Sequence, residues 1–520
     1  MLAGTLAAAC SSTSAKPDGG ADAAPVVGPT VVTTDKGAVE GSVVETARAF
    51  LGIPYAAPPT GALRWKPPAD APAWTGTRAA KSFGHECPQA DLISGKPGKD
   101  LVEDCLYLNV WTPLATPSAP APVMVWIHGG GFIVGSAADP TTSGAVLASK
   151  GVIVVSLNYR LGAFGFLEHA QLAAEAGRPA APSYGLLDQR AALDWVKRNI
   201  AAFGGDPGRV TLFGESAGGT SVCSHLAMAA SAPLFHRAIV ESGPCSPLAV
   251  TPAAAALKQG DDFAKALGCA DLACMRAKST SEVAAALMTR PAILGSPGVS
   301  WGPVIDGTEL TAAPNVVLAN GGGARVPVIA GTTKDEGDLF TYLWKLAYTT
   351  DITEQQLLDA LAILFTPQQV QAIVAKYPSA QYPSVPARAS ALITDGLFVC
   401  LARQTVRGVS AHGAPAYLYQ FAYPLHAPLY PNLGVAHSFE LPFVFGTTFG
   451  GHNINDDDRP TSDAIQGYWT RFAATGDPNG GGAPAWPRYE AAGDAHIVLD
   501  ATITTGNALK RDACDFWDAL

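Results

Sequence analysis

Arg209-Val210-Thr211-Leu212-Phe213-Gly214-Glu215-Ser216-Ala217-Gly218-Gly219 is an apolar strand pattern running into a serine with a glycine two residues to either side. The residues that follow, AGGTSVCSHLAMAA (217–230), read as a helix. A serine at a sharp strand-to-helix turn stands clear of the carboxyl edge of a sheet with its hydroxyl exposed. Both glycines are needed, because a side chain at either position would collide with the neighbouring strand or helix. A GxSxG match alone is weak in a 520-residue chain with 54 glycines, so the context decides. A serine hydroxyl is also a poor nucleophile until a base lies within hydrogen-bond reach. Ser216 therefore requires a base, an acid and donors to an oxyanion from elsewhere in the chain.

The strand at 209–214 has company. PVMVWIH (122–128), VIVVSLNY (152–159), RAIVES (237–242), VPVIAG (326–331) and PAYLYQF (415–421) are short, nearly continuous apolar runs. Such runs suit strands covered on both faces. Between the second run and 209–214 lies GLLDQRAALDWVKRNIAAF (185–203), where Leu187, Ala191 and Trp195, and also Ala192, Val196, Ile200 and Phe203, recur at helical spacing before Gly204-Gly205-Asp206-Pro207. Strand and helix in alternation mean a large, mostly parallel sheet flanked by helices, the α/β class. Residues 30–45 read as short alternating strands with a turn at Asp35-Lys36-Gly37, and the Pro-rich stretch 50–80 as ordered but irregular. Residues 353–377 read as a helical pair, with Thr353 and Gln356 as a capping box and Thr366-Pro367 as an N-cap followed by proline. No internal repeat or linker interrupts residues 30–520, so one large domain is expected.

Composition limits the function. Lys+Arg 34 against Asp+Glu 44 gives a net charge of −10, and no basic run occurs, so no nucleic-acid partner is expected. With 48% hydrophobic and 15% charged residues, most of the chain should fold. No stretch reaches 18 uninterrupted apolar residues. Residues 1–29 differ: MLAGTLAAAC (1–10) is apolar and small, and a polar Gly/Pro/Ala-rich tract follows as a disordered tether. The pattern reads as an export signal, either a cleaved one or a bacterial lipoprotein signal with Cys10 as the lipidated residue and membrane tether. It carries no Lys or Arg, and Leu6 stands four residues before the cysteine. Of nine cysteines, eight remain without Cys10, an even set suited to an oxidising compartment. No cysteine or histidine pattern has metal spacing, so no metal or organic cofactor is expected.

The second chemical motif is His128-Gly129-Gly130-Gly131-Phe132, directly after the strand at 122–127. Glycines there let backbone N–H groups approach a developing oxyanion. Gly130 and Gly131, joined by Ala217, would form the hole. Ten histidines compete for the base. In a chain order of serine, acid, histidine, those left are His412, His426, His437, His452 and His496. His437 leads, in the polar loop GVAHSFE (434–440) before the apolar LPFVFG. For the acid, the loop after 326–331 offers Asp335, Glu336 and Asp338, and the residues alone do not choose among them. The two not used would be solvated loop charges. An unperturbed histidine base would make activity rise through a pH of roughly 6.5.

FLGIPYAAPPTGALRWKPP (50–68), EDCLYLNVW (103–111), HGGGF, NYRLGAFGFL (158–167), FGGDPGRVTLFGESAGG (203–219), KDEG (334–337), GVAHSFELPFVFG (434–446) and CDFWD (514–518) together resemble the type-B carboxylesterase family, which also contains cholinesterases and fungal lipases. The resemblance runs in register from about residue 30 to the end. It implies an α/β-hydrolase fold with an enlarged sheet, a small-molecule ester as substrate, Glu336 as the triad acid and His437 as the base. Thr333 stands where that family usually has Asn. The resemblance also implies disulfides Cys87–Cys105, Cys269–Cys274 and Cys400–Cys514, with Cys223 and Cys245 remaining as a fourth pair.

The expected activity is thus carboxylic-ester hydrolysis by Ser216, His437 and Glu336 through an acyl-enzyme. Two other readings fit the same fold. A non-catalytic adhesion protein would lack the nucleophile, which is present here. A cholinesterase would place an aromatic residue in the first disulfide loop for cation–π capture, and residues 88–104 contain none. A long-chain lipase is left open, as are the natural ester and the oligomeric state.

Overall fold

The apolar runs become the strands of one eleven-stranded sheet. The structure, a computed structural model, describes residues 27–91, 96–98, 101–287 and 301–520; the tether with Cys10 lies outside the described residues apart from 27–29. In chain order the strands are β1 (Ser42–Val44), β2 (Ala47–Pro54), β3 (Tyr107–Pro113), β4 (Ala121–Ile127), β5 (Ile153–Leu157), β6 (Gly205–Glu215), β7 (Arg237–Glu241), β8 (Val328–Thr333), β9 (Ala416–Phe421), β10 (Ala495–Leu499) and β11 (Thr504–Asn507). Across the sheet they lie β11-β10-β9-β8-β7-β6-β4-β5-β3-β2-β1. From β10 to β5 every pairing is parallel, and the remaining pairings at the two edges are antiparallel. The turn at Asp35-Lys36 joins a separate hairpin, Val31–Thr34 with Gly37–Glu40.

Near-continuous hydrophobicity in the strands is two-sided burial. Val123, Val125 and Ile127 of β4 face one core with Ile153, Val155, Val210 and Leu212, while Met124 and Trp126 face the other with Val154, Phe213 and Ile239. The first core is covered by α1 (Tyr184–Asn199), through Leu187, Ala192, Trp195 and Val196, and by α2 (Ala217–Ala227), through Val222 and Leu226. A short 3₁₀ turn, Ile200–Phe203, continues the apolar stripe past the end of α1. The second core is covered by residues 441–445 and 459–475, including Phe443, Phe445, Trp469 and Phe472.

A helical section follows β8 in the chain. It comprises α3 (Gly337–Tyr348), α4 (Glu354–Leu364), α5 (Pro367–Lys376), α6 (Val385–Ile393), a π-helical stretch at 394–399 and α7 (Cys400–Ala411). Both α4 and α5 open with full capping boxes, Thr353 with Gln356 and Thr366 with Gln369. The continuous run Val385–Ala411 is long and apolar enough to cross a membrane by length and composition. Its most apolar window is 72% buried inside this body, and Arg388 and Arg403 within it are ion-paired to Glu354 and Asp494.

Among the described residues there are four disulfides: Cys87–Cys105, Cys223–Cys245, Cys269–Cys274 and Cys400–Cys514. Disulfides of this number persist in oxidising compartments, which makes this an exported protein.

Candidate active site

Strand β6 ends in register beside β7, with Gly214 opposite Val240 and Glu215 opposite Glu241, and beside β4, with Gly214 opposite Ile127. The next residue, Ser216, has φ 58° and ψ −122°, a strained backbone for a side-chain-bearing residue and the N-cap of α2. Surrounding contacts over-determine it. Its N–H donates to the Glu241 carbonyl at 3.0 Å, and its carbonyl accepts from Thr220 N–H at 2.9 Å. A Cβ at Gly218 would lie 2.0 Å from the Ile127 carbonyl oxygen, and one at Gly214 would lie 2.6 Å from the Gly218 carbonyl carbon. Only glycine fits at either place. The strained turn leaves Ser216 partly exposed where its neighbours are buried.

His437 follows β9 in the chain and comes back over the same edge. Its Nδ1–H donates to Glu336 Oε2 at 2.5 Å, and Glu336 is fully buried. The other Glu336 oxygen accepts from Ser242 Oγ at 2.6 Å and from Thr333 N–H at 2.7 Å. The contact from Thr333 to Glu336 is thus made by the backbone and not by the side chain. His437 Nε2 lies 3.0 Å from Glu215 Oε1 without a hydrogen bond, and among the described residues no hydrogen bond reaches Ser216 Oγ. Catalytic hydrogen bonds of this kind often tighten only when substrate is bound. Phe340 and Phe398 pack against the imidazole, ring centres 5.1 and 5.0 Å away.

Asp335 and Asp338 are not the solvated charges expected from the sequence. Asp335 Oδ2 accepts from Val435 N–H and Asp338 Oδ2 from Gly434 N–H, each at 3.0 Å, while Asp338 Oδ1 accepts from Ser390 Oγ at 2.5 Å. They fasten the histidine loop to the acid loop. The other histidines lie elsewhere. His412 bonds the Ala319 carbonyl, and His452 pairs with Asp458.

The HGGG turn lies beside Ser216: a Cβ at Gly129 would be 3.1 Å from the serine Cβ. Gly130 and Gly131 have φ of 102° and 62°, which glycine adopts without strain. With Ala217 at the amino end of α2, they bring three backbone N–H groups to the edge where Ser216 stands.

Sequence reasoning missed a layer of acid behind the histidine. Glu215, Glu241 and Glu440 join Glu336 as buried carboxyl groups, and Tyr419 is buried among them. Ser438 Oγ donates to Glu215 Oε1 at 2.7 Å, and Trp469 Nε1–H to Glu241 Oε1 at 2.7 Å. Burial, reinforced by Glu215, pushes Glu241 up to about 8 against the Trp469 bond. Burial together with Glu215, Glu336 and Glu241 pushes Glu440 well above the carboxylate range. Burial would lower the His437 pKa, but the charges of Glu215 and Glu336 outweigh it and hold it up at about 8. The clue to Glu215 was available in the sequence, since a carboxylate just before the serine must end a buried strand.

A strained serine, an imidazole pinned to a buried carboxylate and a glycine turn whose Gly130 and Gly131 N–H groups make no hydrogen bond among the described residues can perform acyl transfer. Comparison with known proteins agrees. Residues 28–517 match the carboxylesterase family. The para-nitrobenzyl esterase of Bacillus subtilis (strain 168) is 38% identical over 498 residues, 92% of this chain and 96% of that protein. A cholinesterase of Mus musculus is 35% identical over 528 residues, 94% of this chain and 86% of that protein. The solved structure of a PNB esterase superposes with a TM-score of 0.82 at 36% identity, covering 94% of this chain and 99% of that one. This chain belongs to the carboxylesterase family, as a serine-dependent carboxylic-ester hydrolase on the α/β-hydrolase fold.

Proposed function

We propose that Ser216 attacks the ester carbonyl while His437 takes its proton, with Glu336 orienting the imidazole and stabilising its charged form. Gly130, Gly131 and Ala217 N–H groups stabilise the tetrahedral oxyanion. His437 then protonates the leaving alcohol, and water repeats the sequence to release the acid from the acyl-enzyme. The observation that carries this reading is the 2.5 Å contact between His437 Nδ1 and Glu336, on the sheet edge where Ser216 is held at φ 58°. Ser216→Ala should abolish ester hydrolysis and labelling by a fluorophosphonate while circular dichroism stays native. Wild-type turnover in that variant would refute the assignment.

The substrate class we infer is a small ester of an uncharged alcohol. The relatives are named for a para-nitrobenzyl ester and for choline esters. Residues 88–104 lack the aromatic ring that would favour a quaternary ammonium, while Phe340 and Phe398 offer apolar contact beside His437. A panel varying acyl length and alcohol bulk, with a choline ester as one arm, tests this; preference for the choline arm overturns it. A membrane tether through Cys10 belongs to the same proposal. Radiolabelled palmitate should enter the wild-type chain and not Cys10→Ala, and equal labelling of both rejects the tether.

A further inference from the structure

His128 opens the HGGG motif, and the chemistry above gives it no task. It is 5% exposed, its ring stacks on Tyr159 at 4.5 Å and 20°, and the Tyr159 hydroxyl donates to the His128 carbonyl at 3.0 Å. The turn that follows wraps around this ring: a Cβ at Gly135 would lie 2.4 Å from His128 Nδ1. His128 Nε2 is buried without a hydrogen-bond partner, so this imidazole neither relays a proton nor reaches substrate. Its one polar contact is local, from Nδ1–H to the Gly129 carbonyl at 2.9 Å.

That contact matters because of what shares its peptide plane. The Gly129 C=O and the Gly130 N–H belong to one rigid trans unit and point in opposite directions, so fixing the carbonyl aims the N–H. Glycines on both sides leave that unit free to flip, since neither carries a Cβ to resist. The next peptide is secured differently: the Gly130 carbonyl accepts from Ile133 and Val134 N–H at 3.1 and 3.0 Å, which sets the direction of Gly131 N–H through the turn's own backbone. Among the described residues, the donor to the Gly129 carbonyl is the His128 side chain. We infer that His128 is the positioning residue of the oxyanion hole, its Nδ1–H locking the Gly129–Gly130 peptide so that Gly130 N–H faces the reacting carbonyl oxygen. Burial, opposed by the Gly129 carbonyl and Asp139, pushes this imidazole down to about 4, so it stays neutral, with its proton on Nδ1, through the range where a serine hydrolase works. The inference rests on the proposed roles of Ser216 and Gly130.

Its test compares His128→Leu, which removes the donor, with His128→Asn, whose side-chain N–H takes the place of Nδ1–H. His128→Phe keeps the stack on Tyr159 and serves where the leucine variant does not fold. The readouts are kcat and KM for a para-nitrophenyl ester, inhibition by a trifluoromethyl ketone whose serine adduct bears the oxyanion, and Tm. Loss of one oxyanion donor predicts that kcat falls about 10²–10³-fold in the apolar variant. KM should change little, trifluoromethyl-ketone binding should weaken in step with kcat, and Asn should recover most of both. Wild-type kcat and inhibition in a folded apolar variant overturn the inference. So does equal impairment of the Asn and apolar variants in proportion to lost Tm, which marks a structural role only. If Ser216→Ala is dead while the apolar His128 variant is fully active, the role of His128 alone fails; if Ser216→Ala is active, the site reading beneath it fails.

Discussion

The imidazole of His437 stands between two carboxylates, one on each ring nitrogen, and if His437 is the base, as proposed, this sets the pH at which the enzyme works. Only the neutral ring can take the serine proton, so kcat/KM must rise with pH as His437 loses its charge. With its pKa held up to about 8, that rise should centre near pH 8, above the value for an unperturbed histidine. Glu215→Gln removes one of the two charges that raise it, so the rise should move to lower pH. A pH–rate profile of both proteins decides the point, and an unmoved midpoint means the ring does not feel Glu215. The acid can be tested at the same scale. Glu336→Gln should cut kcat by about 10⁴-fold, the loss seen when the corresponding charge is removed from a protease triad. Asp335→Asn and Asp338→Asn, which weaken bonds to loop N–H groups, should cost about 1 kcal/mol of stability each and little kcat. Kinetics above the histidine transition, with urea midpoints, separate these outcomes; a crippled Asp335→Asn beside an active Glu336→Gln would reverse the assignment.

The strand-to-helix turn is the element that makes Ser216 available, and it is built on contacts too close for any Cβ. The Gly218→Ala methyl would sit 2.0 Å from the Ile127 oxygen, so β4 and α2 must separate or the turn must relax. Overpacking of this kind costs roughly 1–3 kcal/mol. Because the strain falls two residues from Ser216, the proposed nucleophile, activity should be lost well before the fold is. Gly177→Ala, at a positive φ that Gly218 does not have and with open space around its Cβ, should cost stability without touching turnover. If Gly218→Ala keeps wild-type kcat, the turn tolerates movement that its geometry forbids. Cys223–Cys245 acts on the same element, joining the middle of α2 to the loop that carries Ser242, the hydroxyl donor to Glu336.

At the scale of the whole molecule, Glu336 and His437, the proposed acid and base, come from segments about a hundred residues apart, with the helical section between them in the chain. Cys400–Cys514 spans 114 residues and ties α7 to the C-terminal helix at 511–518. Nearby, Arg403 and Asp494 form a buried ion pair that Arg511 joins at 3.3 Å. In the chain-entropy account, closing so long a loop stabilises by ~4–5 kcal/mol. The Cys400→Ser/Cys514→Ser double variant should therefore show a lower denaturant midpoint, with native kcat below its transition. An unchanged midpoint would mean the ion pair and the packing of Trp517 on Tyr377 hold that corner without the disulfide.

The parallel sheet, the strand-to-helix turn at Ser216, the glycine loop and one long domain are legible without coordinates, because each is written in local terms: apolar runs, turn residues and glycines at fixed offsets. The capping box at Thr353 is legible for the same reason, whereas at Thr366 the local pattern shows only an N-cap before Pro367 and the folded helix adds Gln369 to complete the box. Choosing Glu336 over Asp335 and Asp338 was beyond local pattern, since all three lie within four residues and only their tertiary partners differ. Family resemblance made that choice, and in the fold Glu336 is the one of the three that bonds His437. The acid layer of Glu215, Glu241 and Glu440, and with it the upward shift of His437, was decided by tertiary structure alone. Carboxyl groups on neighbouring strands and on a returning loop share a field only after folding has brought them together and excluded water.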